Sequence, residues 1–181
     1  MRLDLIEGTK ARYKVAEQLV GVSFGSDAVG TTEAITGTIV LGIDSVVNAS
    51  QSKLTVDLKT LKSDQSLRDG YLQRNTLQTD KFPVLEFVPR KQVGLPNPLL
   101  AAARPIVVGF QLIGDMSLHG VTSEVTWNVV ATVTTDTVAG RATTTLPFAT
   151  FGMTKPTVPF VLSVDDKIQL EVEFRAKRTP L

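Results

Sequence analysis

The 181-residue chain contains no cysteine, which excludes a disulfide framework and a thiolate nucleophile. It has one histidine, His119, so a metal site would have to rest almost wholly on carboxylates. It also lacks an excess of either charge, since 19 Lys and Arg residues stand against 18 Asp and Glu residues. No basic stripe with interleaved aromatic residues is present to hold a phosphate backbone. We therefore expect no metal, no cofactor and no nucleic-acid partner.

Long hydrophobic runs are also missing. None approaches the roughly 20 apolar residues that a membrane-spanning helix needs. The N-terminal stretch MRLDLIEGTKARYKV has no apolar segment of signal-peptide length. We expect a protein that does not span a membrane and is either cytoplasmic or a mature form whose leader has been removed.

The dominant pattern that is present is an alternation of apolar and polar residues. It is clearest in SKLTVDLK, SEVTWNVVATVTT and KIQLEVEFR, which are separated by turn signals such as TTDTVAG and SVDDK. Alternation with a period of two predicts strands with one dry face and one wet face. The stretch PIVVGFQLIGDMSL has apolar residues at both odd and even positions, so we expect this strand to be covered on both faces. The pattern predicts one all-β domain over residues 1–181, an antiparallel sandwich or barrel.

A polar, helix-like segment interrupts the strands near residues 63–75. Ser63 or Asp64 can cap a helix there, and Asn75 can cap a further turn. We expect a short helical insertion that covers an open end of the barrel. The residues expected to share its inner face are Leu67, Tyr71 and Leu72.

Within this insertion, Arg68 and Asp69 are neighbours in sequence, so their side chains diverge and cannot pair with each other along a helix. One should point into the domain and the other outwards or to a backbone cap. Arg68 then has two interpretations: it contacts the head group of a ligand, or it pairs with a distant carboxylate and holds the insertion in place.

His119 lies in MSLHGVTSEV and also has two interpretations. As a general base it would need an orienting carboxylate, for which Asp115 is a candidate. Alternatively, His119 and Gly120 form the turn between two strands.

Three stretches together resemble the YceI-like family: LKSDQSLRDGYLQRNTLQTDKFPVLEF, VGFQLIGDMSLHGVTSEVTWNV and LPFATFGMTKP. They occur in the family's order, and the resemblance covers about residues 13–176. It implies an extended, lipocalin-like, eight-stranded antiparallel barrel that holds a long-chain isoprenoid or similar lipid. It also implies frequent homodimers, frequent export to the bacterial periplasm, and no established catalytic residues.

The leading hypothesis is therefore storage or transport of a polyisoprenoid-type lipid inside the barrel, without catalysis. Two alternatives remain: a hydrolase or isomerase that uses His119 with Asp115 or Arg68, and a filled barrel that binds a partner on its outer face. Arg68 and His119 are candidates for a head-group or lid contact. The candidate ligand-binding residues are Tyr13, Phe24, Leu54, Val56, Leu72, Phe82, Phe87, Phe110, Leu112, Trp127, Val129, Phe148, Leu170 and Val172.

Overall fold

The structure, a computed structural model, describes residues 1–21, 25–42, 44–96, 105–157 and 161–180. Within these ranges, eleven β-strands form one antiparallel sheet. In chain order, β1 to β11 are Arg2–Leu5, Lys10–Leu19, Ser26–Thr32, Ile35–Val40, Lys53–Asp57, Val84–Val93, Ile106–Leu118, Val121–Val133, Thr137–Pro147, Val161–Val164 and Lys167–Thr179.

The sheet closes into a barrel because β1 pairs with β4 on one side and with β11 on the other. The order β1-β4-β5-β6-β7-β8-β9-β11 therefore returns to its first strand. Strand β2 continues the line of β1 along β11, and it also pairs with β3 and β10. The predicted closed, eight-stranded antiparallel barrel is confirmed.

Strand β8 shows why the alternating sequence forms this barrel. Its residues Val125, Trp127, Val129, Ala131 and Val133 are buried. The intervening side chains lie at the surface, so that Val129 is 4% exposed whereas its neighbour Val130 is 58% exposed. A pleated strand sends successive side chains to opposite faces, and only the inner face is dry.

Strand β7 corrects one expectation. Its residues 106–118 were expected to be covered on both faces, but Val107 is 73% exposed. The inner residues Val108, Leu112 and Met116 are buried. The barrel is a single layer, so its outer face meets water, where scattered apolar side chains are normal.

The helical insertion lies where it was predicted, as helix α1, Ser66–Tyr71, followed by a π-helical stretch, Leu72–Thr76. We call residues 66–76 the lid. The predicted caps differ: Gln65 occupies the N-cap position, and Asn75 lies inside the π-helical stretch instead of starting a new turn.

The predicted inner face of the lid was wrong at Leu67, which is 88% exposed. Leu72 is the residue that packs against the core. Leu67 lies in the first turn of a six-residue helix, which is too short for the spacing of its apolar residues to identify the buried face. Across the described ranges, no helix has the length and apolar character that crossing a bilayer would require.

Candidate functional site

A cavity of about 170 Å³ lies inside the barrel. Its surface is formed by apolar atoms only. Leu58 and Leu61, which precede the lid, line one end of it, and Leu3 and Ile39 line the other. The cavity is therefore elongated along the barrel, a shape that suits a chain-like apolar ligand.

Most of the candidate ligand-binding residues contribute to this wall. Those that line the cavity are Tyr13, Leu54, Val56, Phe87, Phe110, Leu112, Trp127, Val129, Leu170 and Val172. Leu72, Phe82 and Phe148 are not among the lining residues. Phe24 lies outside the described residues. That the lining residues bind a lipid stays a prediction.

Sequence reasoning missed a second set of lining residues. Leu3 and Leu5 come from β1, before position 13, where the resemblance starts. Their alternation in RLDL was a usable signal, but four residues are too few for it to stand out. The other missed apolar residues are Ala11, Ile35, Ile39, Leu58, Leu61, Leu85, Val138, Ala142, Phe174 and Ala176.

His119 lies in the two-residue turn between β7 and β8, with φ of 53° followed by 77° at Gly120. Two positive φ values are typical of a tight hairpin turn. The ring of Phe82 packs on the imidazole with centroids 5.1 Å apart. A Cβ at Gly120 would lie 2.7 Å from Phe82 Cε1, so this packing requires glycine. Phe82 therefore packs on the β7–β8 turn and does not line the cavity.

The structure does not bring His119 together with its proposed catalytic partners. His119 Nδ1 lies 3.2 Å from the carbonyl oxygen of Phe151, whereas Asp115 pairs with Arg90 at 2.6 Å. Arg68 pairs with Glu17 and Asp64. The turn interpretation of His119 accounts for these contacts.

Arg68 joins the lid to the barrel through a distant carboxylate. Its Nη2 lies 2.7 Å from Oε1 of Glu17, a β2 residue that is 8% exposed, and its Nη1 lies 2.5 Å from Oδ1 of Asp64. Burial alone would lower the pKa of Arg68, but Glu17 and Asp64 together raise it. Asp69 instead accepts hydrogen bonds from the backbone N–H and the hydroxyl of Ser63. The two side chains thus diverge, one to the barrel and one to the backbone.

Tyr13 lies beneath this ion pair, on the inner face of β2. Its ring covers Gly30 on β3, where a Cβ would lie 2.2 Å from Tyr13 Cε1. The hydroxyl is buried and has no hydrogen-bond partner among the described residues. Burial raises the pKa of Tyr13 to about 12, with Asp69 and Glu17 adding to the rise and Arg68 opposing it. The phenol is therefore protonated at neutral pH.

This pKa predicts how stability changes at alkaline pH. The folded-state pKa of Tyr13, about 12, is above the unfolded value of 10.0, so the folded state retains the proton more tightly. The contribution of Tyr13 is complete below pH 10 and is lost as pH rises from 10 to about 12. We expect the wild-type free energy of unfolding to fall more steeply over that range than that of Tyr13→Phe. Equal slopes in urea titrations at pH 9 to 12 would contradict this.

Trp127 is the only tryptophan in the chain, and it lies on the inner face of β8. It is 7% exposed and packs edge-on against Phe87, with ring centroids 6.1 Å apart. Its indole Nε1–H is buried without a hydrogen-bond partner in the described part of the chain. Over the same residues, no cluster of three or more His, Asp or Glu side chains is placed to hold a metal ion.

Comparison with known proteins agrees with this architecture. The chain is similar to a solved polyisoprenoid-binding domain from Saccharophagus degradans, with 11% identity, 98% of each chain covered and a TM-score of 0.70. It is also similar to BcnA of Burkholderia cenocepacia, with 12% identity, 94% of this chain and 96% of that one covered and a TM-score of 0.62. A YCEI protein of Campylobacter jejuni shows 14% identity, 90% coverage of each chain and a TM-score of 0.63.

At these identities the likeness shows the fold. No curated protein matches the chain. A model of the YceI-like domain matches residues 7–176. Since that match includes nearly every strand of the barrel, the protein belongs to the YceI-like domain family.

Proposed function

We propose that this protein binds the hydrocarbon chain of a polyisoprenoid or similar lipid inside its barrel. The observation that carries the proposal is the elongated cavity with a purely apolar surface. The similar fold of a polyisoprenoid-binding domain supports it. Storage or transport of that lipid, and a homodimeric state, stay predictions.

The size of the cavity sets a condition on this function. A cavity of roughly 150 Å³ lined by Leu, Ile and Phe admits benzene, so about 170 Å³ accommodates only a short branched segment. A long chain must therefore displace side chains of the wall. Several lining residues, Leu54, Phe110 and Leu170 among them, are only partly buried, and we expect these to be the ones displaced.

The driving force for such binding is hydrophobic. Each buried CH₂ group contributes about 0.8 kcal/mol. Ten groups give roughly 8 kcal/mol, which would correspond to about micromolar affinity if association cost nothing. Because association itself costs several kcal/mol, micromolar binding requires more than ten buried groups, as a long chain provides. This driving force needs no polar network, in keeping with the apolar cavity surface.

The observations favour binding without catalysis over the two alternatives. His119 is engaged with Phe151 and Phe82, and Arg68 with Glu17. Because of these contacts, His119 is not assembled with Asp115 or Arg68 into the catalytic group that the enzyme hypothesis requires. The cavity supports a lipid-binding barrel over a filled one, because a filled barrel needs no internal space.

The direct test is mass spectrometry of an organic extract from gently purified protein. We expect a long-chain apolar lipid in near-stoichiometric amount. If the extract contains none, the delipidated protein should be mixed with vesicles that carry a C20 isoprenoid, while the fluorescence of Trp127 reports uptake. A protein that neither carries nor takes up lipid would be a filled barrel.

A further inference from the structure

The wall of the barrel has a gap in its backbone hydrogen bonds beside β3. Beyond the end of β1, β2 takes its place next to β11, and β3 pairs with β2. On its other edge β3 meets the segment before the lid, where Thr31 and Lys62 exchange two backbone hydrogen bonds of 2.8 and 3.1 Å. On that same edge, residues 26–30 bond to no backbone group in the described part of the chain. Strand pairing therefore leaves the wall open there.

The apolar cavity reaches this gap. Its lining includes Tyr13 of β2, Thr32 of β3 and Leu61, which precedes the lid. The three segments that border the gap thus also border the cavity. The ring of Tyr13 packs on Gly30 of β3, and the charge of Arg68 acts on its hydroxyl. Tyr13 therefore lies between the cavity and the lid.

Helix α1 of the lid is held beside the gap by a single strong contact. None of its residues is buried. Its Arg68 forms the 2.7 Å ion pair with Glu17, which is opposite Ser26 at the start of the open edge. Tyr71 adds an exposed contact of 3.5 Å to the Thr157 carbonyl, which is too long for a strong hydrogen bond. These contacts are not strand pairing, so α1 can move without separating strands.

The rest of the lid is anchored in the barrel. Leu72 packs against the core, and Thr76 and Leu77 are buried. Gly70 lies between this anchored stretch and the latch, the name we give to the contact of Arg68 with Glu17. Small residues near the end of an element often absorb the backbone change of a hinge. Helix α1 therefore has one fixed end and one end that the latch holds.

From the open edge of β3 and the single latch we infer that the ligand enters and leaves the barrel beneath α1, between β3 and segment 58–62. The latch breaks, α1 turns away about Gly70, and the ring of Tyr13 moves aside to connect the cavity with the outside. This inference rests on the proposed function, to which it adds the route that the ligand takes.

The first test needs no lipid. The chain has no cysteine, so Leu112→Cys introduces a single thiol on the cavity wall. Its reaction with N-ethylmaleimide, followed by mass spectrometry, measures how often the cavity opens. In this background we expect Arg68→Met to raise the labelling rate by at least about tenfold. The rate should not change with urea below the unfolding transition, because movement of α1 exposes little surface.

Val133→Ala is the control for a general loss of stability. Val133 is 1% exposed and lies at the end of β8 remote from the lid, so its truncation destabilises the core without touching the latch. We expect it to leave the labelling rate in the absence of urea within about twofold of that of Leu112→Cys alone. Thermal unfolding of each variant shows that it is folded.

The second test closes the lid. In a Glu17→Cys, Arg68→Cys protein, a bifunctional methanethiosulfonate reagent joins α1 to β2, and a reductant releases it again. Fluorescence of Trp127 follows uptake of a C20 isoprenoid from vesicles. We expect uptake at least about tenfold slower in the cross-linked protein, with recovery after reduction. The control is Asp4→Cys, Lys177→Cys, which joins opposite residues of β1 and β11 and should not slow uptake.

The outcomes separate the route from the function. Equal labelling with and without Arg68, or unchanged uptake with the lid cross-linked, would overturn the inference. Uptake that is slowed by the β1–β11 cross-link instead would also overturn it, because entry would then occur at that pairing. If no form of the protein takes up lipid although labelling depends on Arg68, the proposed function fails and the route into the cavity stands.

Discussion

An Arg68→Met variant is expected to lose about 3–5 kcal/mol of unfolding free energy, as when one partner of a buried ion pair is removed. Methionine keeps the apolar stem of the side chain but leaves the carboxylate of Glu17 buried without its cation. Urea denaturation at neutral pH measures the loss. Hydrogen exchange should also accelerate in the lid, residues 66–76, which Arg68 holds against the barrel.

The second carboxylate that contacts Arg68 provides a matched control. The Asp64 side chain is 75% exposed, so Asp64→Ala should cost at most about 1 kcal/mol. Adding Glu17→Leu to Arg68→Met should restore most of the stability, because an apolar pair of similar volume is often as stable as a buried ion pair. If Asp64→Ala lowers the free energy of unfolding as much as Arg68→Met does, the ion pair with buried Glu17 is not the contact that stabilises the protein.

The second large effect is expected at Val129, which lines the cavity. A Val129→Trp variant puts a large ring where the proposed lipid chain lies. We expect it to co-purify with little or no lipid. It should nevertheless retain most of the stability of the lipid-free wild type, since the ring occupies space that is already available. Mass spectrometry of the extract and the denaturant midpoint are measured on the same preparation.

Val130→Trp is the control, because Val130 is the next residue of β8 and faces outwards. It should leave both lipid content and stability unchanged. A filled barrel gives a different result: overpacking at Val129 would cost about 1–3 kcal/mol, and neither protein would carry lipid. Unchanged lipid content in a stable Val129→Trp protein would show that the lipid does not lie beside Val129.

Much of the barrel could be predicted from local pattern. Strand β8 alternates over thirteen residues, which is enough to identify its inner face, including Trp127 and Val129. Strand β1 has only four residues, so Leu3 and Leu5 could be placed on the cavity wall only once their pairing was known. Local alternation thus identifies long strands better than short ones.

The remaining features depend on contacts between distant parts of the chain. Glu17 and Arg68 are 51 positions apart, and nothing near either residue identifies the other as its partner. The contact between Tyr13 and Gly30 depends on strand register, which alternation alone does not fix. The prediction of which residues of the lid are buried was wrong at Leu67, because a helix of one or two turns is too short to show a clear periodicity.

The pairing of β1 with β11 has a consequence for how the chain reaches its native state. Leu3 lies opposite Arg178, so the seam of the barrel joins the two most distant parts of the sequence. During synthesis on the ribosome, this seam cannot form until β11 has emerged. Until then, β1 and β9 each have one edge without a partner strand. Such long-range pairing slows folding, and open edges invite association with other chains. The last strand of the barrel to be made therefore commits the nascent chain to a closed barrel instead of to strand exchange between copies.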